Sequence, residues 1–289
     1  DWTVLIEGET GTGKELVARA IHAASPRQDK PFLAVNCAGL TDSLLASQLF
    51  GHKRGAFTGA IEDTKGVFEV AGGGTLFLDE IGDISQNMQN SLLRVLENKE
   101  ITRVGETLPK RVDVRIITAT HRHLLDAVEK GQFRQDLYYR LRVARLRLPP
   151  LRERRADIPL LAGTFLQQSR LATGKTVHQV SHEAMRLLLE HRWPGNVREL
   201  KSSIEFATLH CKGPIIQAED LPPEVIEAET RPGEAIHEVF IAAGQDEKER
   251  LIQALKSANG NRTIAAQRLK VSRATFYRRM EKVGIRWPK

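Results

Sequence analysis

Thr3 to Glu15 reads TVLIEGETGTGKE, and the run ELVARAIHAA follows from Glu15. An apolar, β-branched stretch stops at Gly8, passes through Gly11 and Gly13, and gives way to apolar residues at helical spacing. Strand, glycine-rich turn and helix in that order form the setting a phosphate-binding loop requires. The glycines let backbone N–H groups converge on phosphate oxygens, and the helix N-terminus adds its positive dipole. Lys14 is placed to reach the β- and γ-phosphates. Gly8, Glu9, Thr10, Gly11, Thr12, Gly13, Lys14 and Glu15 are therefore the expected nucleotide contacts. Glu15 stands where the general pattern has the Ser or Thr that meets Mg²⁺.

Working outward, FLAVNC (32–37), GTLFLDE (74–80) and VRIITAT (114–120) read as further strands, and MQNSLLRVLEN as a helix. Alternating strands and helices over residues 1–145 predict a parallel sheet with helices on both faces. Residues 146–212 change to helices only: IPLLAGTFLQQSR, SHEAMRLLLEHR and VRELKSSIEFATLH, punctuated by PPLRERR and WPGN. Residues 213–245 hold four of the twelve prolines and seven Asp or Glu against one Arg, which reads as an acidic linker. Residues 246–289 return to helical patterns separated by NGN and KVS.

The second half of a nucleotide site lies in GTLFLDE. Four apolar or small positions lead into Asp79 and Glu80 at the carboxyl end of a strand, the edge where open α/β sheets bind nucleotides. Asp79 is suited to hold Mg²⁺, and Glu80 to orient or deprotonate a water that attacks the γ-phosphate.

Charge is unevenly placed. Residues 246–289 carry twelve Lys or Arg against four Asp or Glu, which accounts for all of the net +7 and more. A basic block of this kind suggests nucleic acid. Cys37 and Cys211 lack a neighbour at metal-ligand spacing and read as buried thiols of a reducing cytosol. No apolar run approaches the roughly 18 residues that span a bilayer, so no membrane partner is expected. The chain opens at Asp1 in strand sequence, without initiator Met or signal peptide, and is read as a piece of a longer protein with a regulatory segment upstream.

Gly55 to Ala60 reads GAFTGA. With FGHKRGAFTGA, GTLFLDEIGD, LLRVLE, RVG, FRQDLYYRL, LPPLRERRADIPLLA and WPGNVREL, it resembles the sigma-54-dependent transcription activators, a branch of the AAA+ ATPases. The likeness runs over nearly all of residues 3–210. It implies an α/β P-loop ATPase core with an all-α lid, binding ATP and Mg²⁺ and working as a hexameric ring on sigma-54 RNA polymerase in the bacterial cytoplasm. Carried over by motif, Asn36 would hold Glu80 until a partner is engaged. His121 falls at the sensor position, where many members have Asn. Arg134 and Arg140 would be offered to a neighbouring subunit's ATP, and Arg198 would read the γ-phosphate. Gly55, Ala56, Phe57, Thr58, Gly59 and Ala60 would touch the sigma factor, with Phe57 expected to be exposed between its glycines.

Departures from the resemblance are Ser47, Gln48 and Lys53 at common glutamates, and Arg142 at a common Asn. In the tail, NRTIAAQRLKVSRATFYRRMEK (261–282) resembles the Fis-type helix-turn-helix. Ser272 would cap a second helix carrying Arg273, Thr275, Tyr277, Arg278, Arg279 and Lys282 toward double-stranded DNA. A dimer on a palindromic upstream site is implied.

Overall fold

Three of the strands predicted from apolar runs, at Val4–Glu7, Thr75–Asp79 and Arg115–Thr120, bury both faces, and the one at Phe32–Asn36 is only partly covered. A computed structural model describes residues 2–227 and Ala265. They fall into two compact units, one of Asp1–Gln179 and Arg192–Pro214, the other of Val180–His191 and the chain from Ile215 onward.

In the first unit the elements run β1 (Val4–Glu7), α1 (Lys14–Ala23), β2 (Phe32–Asn36), α2 (Asp42–Phe50), β3 (Gly51–His52), β4 (Thr64–Lys65), α3 (Val67–Val70) and β5 (Thr75–Asp79). Then follow α4 (Gln86–Asn98), β6 (Glu100–Ile101), β7 (Lys110–Arg111), β8 (Arg115–Thr120), α5 (Leu124–Glu129), α6 (Gln135–Leu141) and β9 (Ala144–Arg147). α7 (Ile158–Thr173) and α9 (Asn196–His210) complete it, and α8 (His182–Glu190) belongs to the second unit.

The central sheet has five strands in the order β2-β5-β8-β1-β9, all parallel. Successive side chains go to opposite faces. Leu5, Leu76, Leu78 and Ile116 join the core under α2 to α6, while Val4, Ile6, Phe77, Ile117 and Ala119 meet Ala18, Val17 and Ile21 of α1. Fully burying a Leu or Phe of this kind stabilises by about 1.5–3 kcal/mol, so the alternation decides the register.

α4 begins at Ser85, whose side chain accepts from the Met88 N–H. α7 begins with Pro at its second position and ends at Gly174 in the left-handed region.

Between α2 and α3, β3 and β4 form a two-stranded antiparallel pair from which residues 53–63 project. A second excursion, 102–109, springs from the β6–β7 pair. The two are laced together: Lys53 N–H donates to Val104 O and Val104 N–H to Gly51 O, each at 2.9 Å. Neither short pairing was anticipated from sequence, because strands of two residues carry no periodicity. Arg273, Thr275, Tyr277, Arg278, Arg279 and Lys282, the expected DNA contacts, lie outside the described residues.

Candidate nucleotide site and contact loop

A parallel sheet collects all its carboxyl ends on one edge. Here Asn36 and Asp79 are register partners, and Glu7 is flanked by Thr120 and Arg147, so the segments that follow these strands gather in one place. The phosphate-loop residues turn there. Gly13, at φ 100°, supplies the left-handed N-cap of α1. Gly11, at φ 80°, lies so close to the lid that an added Cβ would sit 2.3 Å from Gly195 O.

Lys14 is only 6% exposed, with its ammonium donating to Gly8 O at 2.9 Å and to Glu80 Oε1 at 3.3 Å. Thr12 Oγ1 donates to Glu9 O at 2.7 Å. The Glu15 carboxylate is turned along the exposed face of α1 to Arg19, at 3.0 and 2.7 Å.

Asp79 is half-buried and its Oδ1 accepts the Glu80 N–H at 3.0 Å. Burial, and then the Glu80 charge, raise its carboxyl above the ordinary range. It has no ion-pair partner among the described residues. A hard oxygen donor raised in this way fits a divalent cation, which would relieve both effects. Glu80 sits in the left-handed region at φ 55°, ψ 47°, an uncommon conformation for a non-glycine residue that clusters at functional sites. Its Oε2 is 2.6 Å from His121 Nδ1 and accepts the His121 N–H at 3.1 Å. Glu80, Asp83 and His121 bring ligand-type atoms within 4.8 Å of one another. Asp83 is, however, paired with Arg122 and Glu80 with His121, so the cluster is a satisfied polar network.

Asn36 shares this edge; its Oδ1 accepts the Ala38 N–H at 2.8 Å, and its amide makes no hydrogen bond to Glu80 among the described residues. Cys37 beside it is buried, its thiol pushed up to about 12 by burial and then by the Asp79 charge, which makes it inert. Cys211 is buried too.

Sequence reasoning passed over the residues that join lid and loop. Asn196 is fully buried at φ 53°. Its Oδ1 accepts the Leu151 N–H at 2.8 Å, while its Nδ2 donates to Thr10 O at 3.0 Å and Glu9 Oε2 at 3.2 Å. Arg152 makes a two-pronged pair with Glu9, at 2.8 and 2.6 Å, and Arg154 donates to Thr12 O at 2.8 Å. The Arg152 hydrogen bond, then that of Asn196, hold the Glu9 carboxyl down at about 2. An Asn directly after Pro-Gly, opening a helix, was the available signal.

Arg198 follows on α9 with its Cβ against Gly11, and its guanidinium has no protein partner among the described residues. Arg134 is pinned to Asp136, at 3.0 and 2.7 Å, and to Asn90 at 2.8 Å, while Arg140 stands 3.6 Å from Glu97. Arg140 is exposed and Arg134 half-buried, and their polar partners lie on α4 and α6.

In the 53–63 excursion Gly55 N–H donates to Ala60 O at 2.9 Å, closing GAFTGA into a loop, with Gly59 at φ 105°. Phe57 corrects the sequence expectation: it is half-buried, its ring edge-on to His52 at 5.0 Å. An aromatic ring beside a glycine-rich turn folds back onto the nearest π-surface when one is in reach. The exposed apolar residue is Ile61, at 82%. Thr58 and Gly59 are exposed as well.

Sheet order, phosphate loop, edge carboxylates and helical lid together define an AAA+ nucleotide-binding domain. Residues 1–147 match the sigma-54 interaction domain, 152–237 an AAA+ ATPase lid domain, and 245–282 the bacterial regulatory protein, Fis family. The chain belongs to the sigma-54 interaction domain family.

It is 48% identical over 280 residues to the transcriptional regulatory protein ZraR of Escherichia coli (strain K12), covering 97% of this chain and 63% of that one. It is 48% identical over 285 residues to the Nif-specific regulatory protein of Azotobacter vinelandii, covering 98% and 54%. The crystal structure of NtrX from Brucella abortus in complex with ADP superposes with a TM-score of 0.73 at 35% identity, covering 98% of this chain and 65% of that one. The chain thus spans less than two thirds of each of these relatives. No described helix is long and apolar enough to cross a membrane.

Proposed function

We propose that this chain is an ATP-hydrolysing motor that remodels the closed complex of sigma-54 RNA polymerase while its tail holds upstream DNA. The observation that carries this is the meeting of Lys14, Asp79 and Glu80 at one sheet edge, with the ammonium 3.3 Å from the carboxylate.

On this reading the loop from Gly8 to Lys14 cradles the phosphates, and Lys14 exchanges Gly8 O and Glu80 for phosphate oxygens. Asp79 would hold Mg²⁺, which supplies charge neutralisation at the phosphates. Glu80 takes a proton from a water as its oxygen bonds to the γ-phosphorus. The bond to the bridging oxygen breaks, leaving ADP and phosphate. Arg198, poised over Gly11, reads the γ-phosphate from the lid. Arg134 and Arg140 face outward to complete a neighbouring subunit's site, so hydrolysis depends on assembly, as a hexamer on the family's pattern.

Residues 55–60 deliver the work to the sigma factor, with Ile61 enlarging the apolar contact. We divide the chain into a core (1–145), lid (146–212), linker (213–245) and DNA-binding tail (246–289), acting in the bacterial cytoplasm. The tail would dimerise on a palindromic site through Arg273, Thr275, Tyr277, Arg278, Arg279 and Lys282.

Lys14→Ala should lose nucleotide binding, whereas Glu80→Gln should bind ATP and hydrolyse it at least about 100-fold more slowly. Nucleotide binding by calorimetry and phosphate release measure the two. Equal loss of binding in both variants sinks the assignment.

A further inference from the structure

A loop that binds phosphate aims its N–H groups inward, so its carbonyls must point outward and find donors of their own. From Gly8 to Gly13 each carbonyl has one. Lys14 Nζ donates to Gly8 O at 2.9 Å, Thr12 Oγ1 to Glu9 O at 2.7 Å, and the Val17 N–H to Gly13 O at 3.2 Å. Those donors are local. The three carbonyls between are held by the lid. Asn196 Nδ2 donates to Thr10 O at 3.0 Å, the Val197 N–H to Gly11 O at 3.0 Å, and an Arg154 guanidinium N–H to Thr12 O at 2.8 Å.

A trans peptide points its C=O and the next N–H in opposite directions. Holding Thr10 O and Thr12 O outward therefore leaves the Gly11 and Gly13 N–H groups inward, and neither has a protein acceptor among the described residues. Glycine accepts φ of either sign, so the peptides beside Gly11, at φ 80°, and Gly13, at φ 100°, can turn over at little cost. A peptide turned over aims an oxygen at the phosphates in place of a donor.

Arg154 has few other commitments. Its side chain is 25% exposed, its carboxylate neighbour Asp157 stands 3.9 Å away, and its Nε is buried with no partner among the described residues. Its backbone is fixed in turn: the Arg154 N–H donates to Leu151 O at 3.0 Å, and the Leu151 N–H to Asn196 Oδ1 at 2.8 Å. Asn196 thus holds one loop carbonyl with its Nδ2 and, through its Oδ1, the turn from which Arg154 reaches another.

We propose that Arg154 is a positioning residue for nucleotide binding: with Asn196 and the Val197 N–H it locks the loop's carbonyls outward, so that the lid completes the cradle for the phosphates ADP and ATP share. This differs from the role given to Arg198, which meets the γ-phosphate alone. The inference rests on the reading of residues 8–14 as the phosphate loop.

The test uses the full chain. Arg154→Met, which keeps the stem and removes the donor, should weaken ADP and ATP binding by the same factor, about tenfold, in calorimetry. Arg198→Met should instead weaken ATP more than ADP. Because the contact is local, the loss in Arg154→Met should persist at high salt, where attraction by a distant charge is screened. Arg154→Lys, which keeps a donor on a slightly shorter stem, should recover most of the affinity. In nucleotide-free protein the ¹⁵N signal of the Gly13 amide, which senses the hydrogen bond on the Thr12 carbonyl, should shift in Arg154→Met and return toward native in Arg154→Lys. An unchanged ADP affinity overturns the proposal, as does a loss confined to ATP, a loss that vanishes at high salt, or a Gly13 signal indifferent to Arg154→Met. The NMR arm needs no nucleotide. If Lys14→Ala binds ADP normally, the phosphate-loop reading fails even where the Gly13 signal shows the carbonyl held.

Discussion

The nucleotide edge and the 53–63 excursion are supported in opposite ways. At the edge, side chains from β1, β5, β8, α1 and α9 converge, and the polar atoms of Lys14, Thr12, Glu80 and Asn196 each have a named partner. The excursion stands on a two-residue strand pair, the backbone bonds to Val104 and Gly51, and the face of His52. Chemistry needs several groups held to a fraction of an ångström, and only a convergence of rigid elements provides that. A contact loop needs reach and the freedom to move, and a narrow base provides those. A substitution should therefore spread from the edge into stability and binding, whereas one in the excursion should stay local.

The largest expected effect probes that separation directly. Phe57→Ala should abolish transcription from a sigma-54 promoter in a reconstituted assay while ATP hydrolysis stays within about twofold, since the loop bears no catalytic group. Comparable loss of both would break the comparison. Next, Asn196→Ala should cost about 1–3 kcal/mol of stability, because the Leu151 N–H and Thr10 O lose a buried partner together. It should also weaken nucleotide binding, which thermal melting with and without ADP would show.

The smallest effect concerns acid. Glu9 serves the edge, and Glu69 anchors the second excursion through Arg103 at 2.5 and 2.8 Å and through Lys110. Both carboxyls are lowered from 4.5 to about 2, Glu9 by Arg152 first and Glu69 by Arg103 first. Lowered folded values mean stability that is present above 4.5 and lost as pH falls toward 2. Glu9→Gln and Glu69→Gln should each flatten the decline of melting temperature across that window. A decline as steep as in the native chain would show that these pairs contribute nothing.

The sheet was legible because its strands are continuous apolar runs broken by glycine or by acids, and the catalytic edge because its residues sit at strand ends. Lys14, Asp79 and Glu80 declare themselves by local spacing. Asn196 does not, since its partners Thr10 and Glu9 lie 186 and 187 residues away. The side-chain positions of Glu15 and Phe57 were not legible for a shared reason. Each side chain found a near neighbour, Arg19 on the same helix face or His52 across the turn, that a motif does not specify. The pairing of His121 with Glu80 was equally hidden, because it depends on β5 and β8 lying side by side.

The Asn196 amide also has a consequence for the order in which the molecule comes together. It ties Thr10 to Leu151 through a residue that follows the first by 186 positions and the second by 45. Contacts so distant along the chain close late, after local helices and neighbouring strands have formed. On the ribosome, Gly8–Glu15 emerges long before the residue that fastens it, and β1 and α1 can be in place with that fastening still unmade. The phosphate loop of a nascent chain is thus an unfinished receptor until α9 arrives. A newly made molecule acquires its grip on nucleotide as one of the last acts of folding the first unit.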